Sequence, residues 1–346
     1  MDPALSPVPG VEGTSPPPLR IGPLTLANNL VLAPMAGVTD RPFRALCRRL
    51  GAGLAIAEMV IADPHLWDSP KSRRRLDHRG EPGPIAIQLL GNEPRVLAEA
   101  ARFHQDLGAE IIDINMGCPA RKVCRKAAGS ALLRDERLVA RILEAVVAAV
   151  PLPVTLKIRT GWSPAERNAL TIARIAQESG IAALTVHGRT RACGFAGPVE
   201  YDSLRDLRSQ VTLPLIANGD IDSPERARFV LNYTGADAIM IGRAAQGRPW
   251  IFQEIGHYLA TGYRLPSPAA HWIKTTLLDH LQDLHGFYGG RSAIGIARKH
   301  VGWYLRGQPD GVGFRERFYR AGTLEEQRSL IEAYFDELTR VGDPPA

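Results

Sequence analysis

Leu215-Ile216-Ala217-Asn218-Gly219-Asp220-Ile221, then Ser223-Pro224-Glu225 opening an amphipathic stretch to Tyr233, then Ala238-Ile239-Met240-Ile241-Gly242-Arg243, spell out one strand–helix–strand unit. Both apolar runs are short and end in glycine beside a charged residue. The Ser-Pro pair suits a first helical turn, where the N–H that proline lacks would be unpaired anyway. The same alternation extends upstream. Strands are expected at Leu30–Pro34, Leu54–Glu58, Ile85–Leu90, Ile111–Asn115, Val154–Ile158, Ala183–His187, Leu215–Asn218 and Ala238–Gly242, with helices at Pro94–Leu107, Glu136–Val150, Pro164–Ser179 and Pro224–Tyr233. Eight such units predict an α/β fold, a (β/α)8 TIM barrel, in preference to an open sheet.

In that architecture the loops after the strands converge on one face, so the residues at the strand ends decide the chemistry. Here they are Pro34-Met35-Ala36-Gly37, Glu58-Met59, Gln88, Asn115 with Cys118, Lys157 with Arg159, His187-Gly188-Arg189, Asn218-Gly219-Asp220 and Gly242-Arg243. Any one of them could be structural; eight polar or glycine-rich ends at one mouth make a site. Gly219 and Gly242 let the main chain come close to a ligand, and Arg243 offers a bidentate fork, which together suit a phosphate-bearing cofactor. Gly51-Ala52-Gly53 and Gly311-Val312-Gly313 lack the third glycine of a dinucleotide fingerprint, so a Rossmann domain is not expected.

Cys118 stands in Ile111-Ile112-Asp113-Ile114-Asn115-Met116-Gly117-Cys118-Pro119-Ala120-Arg121-Lys122, where a strand breaks into a turn that sets one thiol between an amide and two cations. Gly117 permits unusual dihedrals and Pro119 cannot continue the sheet, so the side chain is lifted from the core.

The chain has 346 residues, 45% of them hydrophobic, enough for a barrel and a smaller second domain. The barrel is expected over residues 19–255, and a helical bundle over 256–346 with helices at His271–Phe287, Ala293–Leu305 and Leu324–Leu338. The proline-rich residues 1–18 are expected to be a disordered extension. No apolar run is long enough to span a bilayer and no basic-then-hydrophobic leader opens the chain, so neither membrane nor export is expected. Four cysteines without clustered histidines suggest a reducing cytoplasm and no metal. The formal charge of +6 favours a polyanionic partner. From Arg291 to Arg320, seven Arg or Lys face two acids, interleaved with Trp303, Tyr304, Phe314, Phe318 and Tyr319, a mixture suited to phosphates and unstacked bases. It reads equally well as a solvated helix face with its aromatics turned inward.

From Leu19 to Leu338 the sequence resembles the tRNA-dihydrouridine synthases, most closely their bacterial B-type subgroup. The resemblance rests on Ala33-Pro34-Met35-Ala36-Gly37-Val38-Thr39-Asp40, the Asp113-to-Lys122 run, Thr155-Leu156-Lys157-Ile158-Arg159, Val186-His187-Gly188-Arg189-Thr190-Arg191, Asn218-Gly219-Asp220-Ile221 and Ile241-Gly242-Arg243. It implies an FMN barrel with a helical tRNA-binding domain that reduces the C5–C6 bond of a tRNA D-loop uridine with NADPH, NADH being the alternative reductant; a cytoplasmic monomer is expected, with the oligomeric state left open by the sequence. On that reading Cys118 is the proton donor to C5. Pro34, Met35, Ala36, Gln88, Lys157, His187, Asn218, Gly219, Asp220, Gly242 and Arg243 hold the flavin. Asn115, Arg189 and Arg191 reach uracil or RNA, and Arg298, Lys299 and Arg306 belong to the tRNA surface. Competing readings are an FMN barrel reductase of a small pyrimidine or enone, and a tRNA-binding factor without catalysis.

Overall fold

The computed structural model describes residues 18–67, 69–306 and 308–341. All of the proline-rich extension except Pro18 lies outside them.

Parallel strands close into a barrel. β1 (Leu30–Leu32) pairs with β8 (Ala238–Ile241), and the ladder runs on through β7 (Leu215–Asn218), β6 (Ala183–His187), β5 (Val154–Arg159), β4 (Ile111–Met116) and β3 (Ala86–Leu90). The segment expected as one strand over Leu54–Glu58 instead comes in two pieces, together β2. Leu54–Ala55 pairs with β1, Ile56 bridges Ala86, and Val60–Ile61 pairs with β3, which closes the circle. In the gap between them Glu58 turns its carboxylate onto the Gly37 N–H at 2.8 Å and the Arg75 guanidinium at 2.9 Å.

Residues alternate in and out along every strand, as the pleat requires. The outward set, including Leu32, Leu89, Ile112, Ile114, Leu156, Val186 and Ile239, packs under the surrounding helices. The inward set begins apolar, with Val31, Leu54, Ile56, Ala86, Ile111, Ala183, Ile216, Ala238 and Met240, stoppered by Leu19, Ile21 and Leu26 of an antiparallel N-terminal hairpin whose strands pair Arg20 with Thr25. Higher in the barrel the inward residues become polar.

The outer layer comprises α1 (Arg41–Arg49), α2 (Pro94–Asp106), α3 (Glu136–Val147), α4 (Ala169–Glu178), α5 (Asp202–Arg208), α6 (Pro224–Thr234) and α7 (Ile251–Thr261). The helix expected from Pro164 begins only at Ala169. Ser163-Pro164 starts a turn in which Ser163 Oγ donates to Glu166 at 2.8 Å and Trp162 N donates to the Glu166 carbonyl at 3.1 Å. α8 (Ala270–Tyr288), α9 (Gly290–Tyr304), α10 (Gly311–Phe318) and α11 (Leu324–Val341) surround a second core of Leu277, Leu281, Val301, Phe314, Phe318, Ile331 and Phe335. Leu46 of α1 and Leu50 just after it join that core, fastening it to the barrel beside β1.

Candidate active site at the barrel mouth

The polar upper layers follow from strand register. Gln88 lies beside Asp113, Asp113 beside Thr155, Asn115 beside Lys157, and Arg159 and Asn218 both beside His187. Parity places all of them inward, so their polar atoms must satisfy one another in a space nearly closed to water. They do so as a net. Gln88 Nε2 donates to Asp113 at 2.7 Å, Thr155 Oγ1 donates to the other Asp113 oxygen at 2.6 Å, and Asn115 Nδ2 donates to Gln88 Oε1 at 2.8 Å. Burial pushes the Asp113 carboxyl up, opposed by Thr155, Gln88 and Lys157. Across the mouth Lys157 Nζ donates to Asn218 Oδ1 at 3.0 Å, and Asn218 Nδ2 to the Met240 carbonyl at 2.8 Å. Burial and the neighbouring Arg159 bring the Lys157 ammonium down to about 8, against the pull of Asp113. Lys157 is therefore mostly a cation at neutral pH, with its chain end fixed.

Asn115 also shapes the next turn, because its Oδ1 accepts the amides of Gly117 at 3.1 Å and Cys118 at 2.9 Å. Arg159, fully buried, holds the same turn from the other side. Its Nε donates to the Gly117 carbonyl at 2.8 Å, and its Nη1 to the carbonyls of Thr190 at 3.0 Å and Gly194 at 2.7 Å. Gly129, at φ +62°, closes the turn: a Cβ there would lie 2.8 Å from the Cys118 carbonyl oxygen. Cys118 itself is half-buried, and burial raises its thiol above the ordinary value. The Ala120 amide and the cations Arg159 and Lys122 work against that rise, but none is a base, so Cys118 is a neutral S–H at physiological pH.

The β7 and β8 ends carry the opposite charge pattern. Asp220 accepts Arg189 Nη1 at 3.0 Å and Arg243 Nη2 at 2.8 Å on one oxygen, so it is counter-ion to both. The arginines hold its carboxyl below the ordinary value. Arg189 is only 3% exposed and also donates to the Gly197 carbonyl. This places it in the wall of the mouth, paired with Asp220 and the Gly197 main chain. Arg243 remains half exposed, its guanidinium 5.7 Å from the Phe195 ring centre. Gly219 has φ +132°, and a Cβ on it would meet Val199 at 2.9 Å and His187 at 3.1 Å, so the main chain itself forms the surface there. Gly242 differs: its added Cβ would find Ala33 at 3.7 Å and Met35 at 3.8 Å, ordinary contacts. His187 is kept neutral by burial and by Lys157, Arg159, Arg189 and Arg243 around it. Pro34, Met35 and Ala36 form a rim loop, braced by Met35 N donating to Thr39 Oγ1 at 2.9 Å.

The residues expected at the RNA surface separate. Arg306 is exposed. Arg191 is half-buried with its guanidinium 4.5 Å from the Trp162 ring centre. Arg298 is half-buried, donating to the Ala321 carbonyl at 3.4 Å. Lys299 donates to the Gly37 carbonyl and so faces the barrel. Tyr304, Phe314 and Phe318 are buried, leaving Tyr319 as the large exposed aromatic of α9 and α10 apart from half-buried Trp303. The interleaved aromatics thus serve mainly the helical core.

The dihydrouridine synthase (Dus) family matches residues 31–339. The chain belongs to this family. Curated members similar to it include "tRNA-dihydrouridine synthase B" of Xanthomonas campestris, 59% identical over 94% of this chain and 98% of that protein. The protein of the same name from Pseudomonas aeruginosa is 58% identical over 92% of this chain and 96% of that one. Among solved structures, histamine dehydrogenase from Rhizobium sp. 4-9 aligns with TM-score 0.54 at 15% identity, covering 77% of this chain and 50% of that one. A variant of NCR from Zymomonas mobilis aligns with TM-score 0.50 at 20% identity, covering 70% and 90%. At such identities the structures attest the fold alone. As a dihydrouridine synthase the chain is an oxidoreductase, and the net above is its candidate catalytic centre. Asp113 and Thr155 belong to that net although sequence reasoning gave them no role, and Arg159, read there only as a strand-end residue, braces the Cys118 turn. The period-2 parity with Asn115 and Lys157 was the signal for them.

Proposed function

We propose that this enzyme is a tRNA-dihydrouridine synthase that uses FMN and NADPH to reduce the C5–C6 bond of a D-loop uridine, with Cys118 as proton donor. The observation that supports it most is a neutral, half-buried thiol fixed by Asn115 and Arg159 at the edge of a cationic, hydrogen-bonding mouth. A non-catalytic binding factor has no need of such a turn.

The residues fit a flavin mononucleotide. Lys157 is a restrained cation suited to the negative pole that ring reduction creates, and the Gln88 amide is oriented by Asp113 and Asn115 to meet the ring edge. Pro34, Met35 and Ala36 supply the apolar rim. Main chain at Gly219 and Gly242, with His187, Asn218 and the half-exposed Arg243, suits the ribityl phosphate. Held by these residues, FMN would supply the hydride that uracil C6 needs, with NADPH as its source. Cys118 then delivers the balancing proton to C5, a task for which a thiol above its usual pKa is in the right protonation state. Because the mouth is recessed, the uridine must leave its stack to enter.

The outward cations Arg306, Arg315 and Arg320, with Tyr319, are the tRNA surface in this reading, which makes residues 256–346 the RNA-binding part and 19–255 the catalytic part. Among the described residues no helix is long and apolar enough to cross a membrane. A cytoplasmic monomer is consistent with the proposed substrate. The test is incubation with NADPH and tRNA lacking dihydrouridine, followed by mass spectrometry of nuclease fragments. New dihydrouridine in the D-loop is expected; a yellow, NADPH-reducible protein that leaves every tRNA unmodified would overturn the substrate.

A further inference from the structure

On the β4–β6 side of the mouth, three βα loops line an open cavity of about 300 Å³, whose lining of Arg121, Cys124, Arg125, Trp162 and Arg191 does not include Cys118. Its walls are fixed. Arg191 lies at 4.5 Å over the Trp162 ring, which also carries Arg134 at 5.1 Å, and Arg191 N donates to the Gly161 carbonyl at 2.9 Å. Gly161 cannot change, since a Cβ on it would sit 2.2 Å from the Glu166 carbonyl oxygen. Cys124 Sγ, on the cavity wall, lies 3.7 Å from the Cys118 carbonyl oxygen, so the cavity backs directly onto the proton donor's turn.

The charge here is uncompensated. Among the described residues none of Arg121, Arg125, Arg134 and Arg191 has a carboxylate within ion-pair distance, unlike Arg189 and Arg243 across the mouth. Arg191 Nε is buried with no hydrogen-bond partner. Guanidinium groups converging without an acid repel one another, and an anion with several oxygens relieves the repulsion while pairing the open N–H groups. Lys122 and Lys126, both exposed, continue the charge outward from the same turn. A track of cations leading from a cavity suits a chain of phosphates better than a single one.

We propose that this cavity seats a phosphodiester of the RNA strand, one adjoining the nucleotide presented to Cys118. It rests on the tRNA reading above and adds to it a fixed point. With one phosphate held by Arg121, Arg125 and Arg191, the neighbouring base has its reach set toward the thiol before the rest of the tRNA is gripped by the helices.

The test compares wild type with Arg121→Ala/Arg125→Ala, whose sites are exposed, and with Arg191→Lys, which keeps the charge but loses the fork. tRNA Kd is measured across a salt series, and flavin bleaching by NADPH without tRNA reports which phosphate has been lost. The double variant is expected to bind tRNA about tenfold or more weaker, with a log Kd–log salt slope shallower by about one, and with NADPH saturation unchanged. Arg191→Lys should fall between. Equal tRNA affinity and slope in all three proteins would overturn the proposal, as would weaker NADPH saturation with unchanged tRNA binding, which would make the cavity a dinucleotide-phosphate site. If wild type itself binds no tRNA, the functional reading falls; if wild type binds and the variants match it, only the cavity assignment falls.

Discussion

Lys299, on a helix of the C-terminal unit, donates its ammonium hydrogen bond to the carbonyl of Gly37, in the loop that follows β1. The Gly37 N–H is held by Glu58, so the peptides on either side of this one glycine are clamped from both parts of the protein. Two further contacts from the helices land on the same loop. Tyr288 OH donates to Asp40 at 2.9 Å, and His300 Nε2 lies 3.8 Å from the same carboxylate oxygen. Pro34, Met35 and Ala36 sit at the start of this loop, so the helical unit fixes the rim expected to face the flavin.

Lys299→Met should therefore act on the barrel. Water replaces the ammonium at the exposed Gly37 carbonyl, so the cost in stability is about 1 kcal/mol or less, and flavin retention should weaken severalfold while tRNA affinity changes little. Fluorescence titration of FMN and a denaturant melt check this. Unchanged melting and flavin affinity together with a higher tRNA Kd would return Lys299 to the RNA surface.

Arg159 spans three carbonyls while fully buried, so replacing it with Met leaves those acceptors unpaired around the Cys118 turn. Arg159→Met is expected to lose about 2–4 kcal/mol of stability and most turnover, through the loosened Cys118 turn. Normal turnover in a variant that melts early would show that the turn holds without it.

Asp220 and Arg243 are paired, yet their removal should have opposite effects on the flavin. Arg243→Ala removes the proposed phosphate partner and should weaken FMN binding about tenfold or more. Asp220→Asn frees Arg243 from its counter-ion, so FMN affinity should hold or rise. It also leaves buried Arg189 short of charge, costing roughly 1–2 kcal/mol because water reaches Asp220. Parallel losses of flavin affinity in both variants would reject this division of roles.

Lys157 is cationic below about 8 and neutral above it. If its charge supports flavin reduction, the rate of bleaching by NADPH should fall as pH rises through about 8, and Lys157→Arg should remove that fall because guanidinium stays charged. A Lys157→Arg profile that breaks at the same pH would assign the titration to another group.

The barrel was legible because parallel strands buried on both faces read as short apolar runs, and because each ends in polar chemistry, as at Asn115 and Asn218. Which polar residues face one another was not legible, since that depends on lateral register between strands far apart in sequence, such as Asn218 beside His187. The burial of Arg189 was not legible because an arginine after a strand carries no mark of it; the acid that pairs with it, Asp220, arrives one strand later. The contact of Lys299 was hidden in the same way, its partner being a main-chain carbonyl far earlier in the chain. The second piece of β2 was hidden because Glu58-Met59 interrupts the apolar run where the barrel closes.

The central claim, that Cys118 supplies the proton, is tested most directly by loading Cys118→Ala and wild-type protein with FMN, bleaching both with NADPH, and following dihydrouridine formation in tRNA in a single turnover. The account predicts equal bleaching and a rate of dihydrouridine formation lower by about 10²–10⁴-fold in the variant. Formation at the wild-type rate would contradict it.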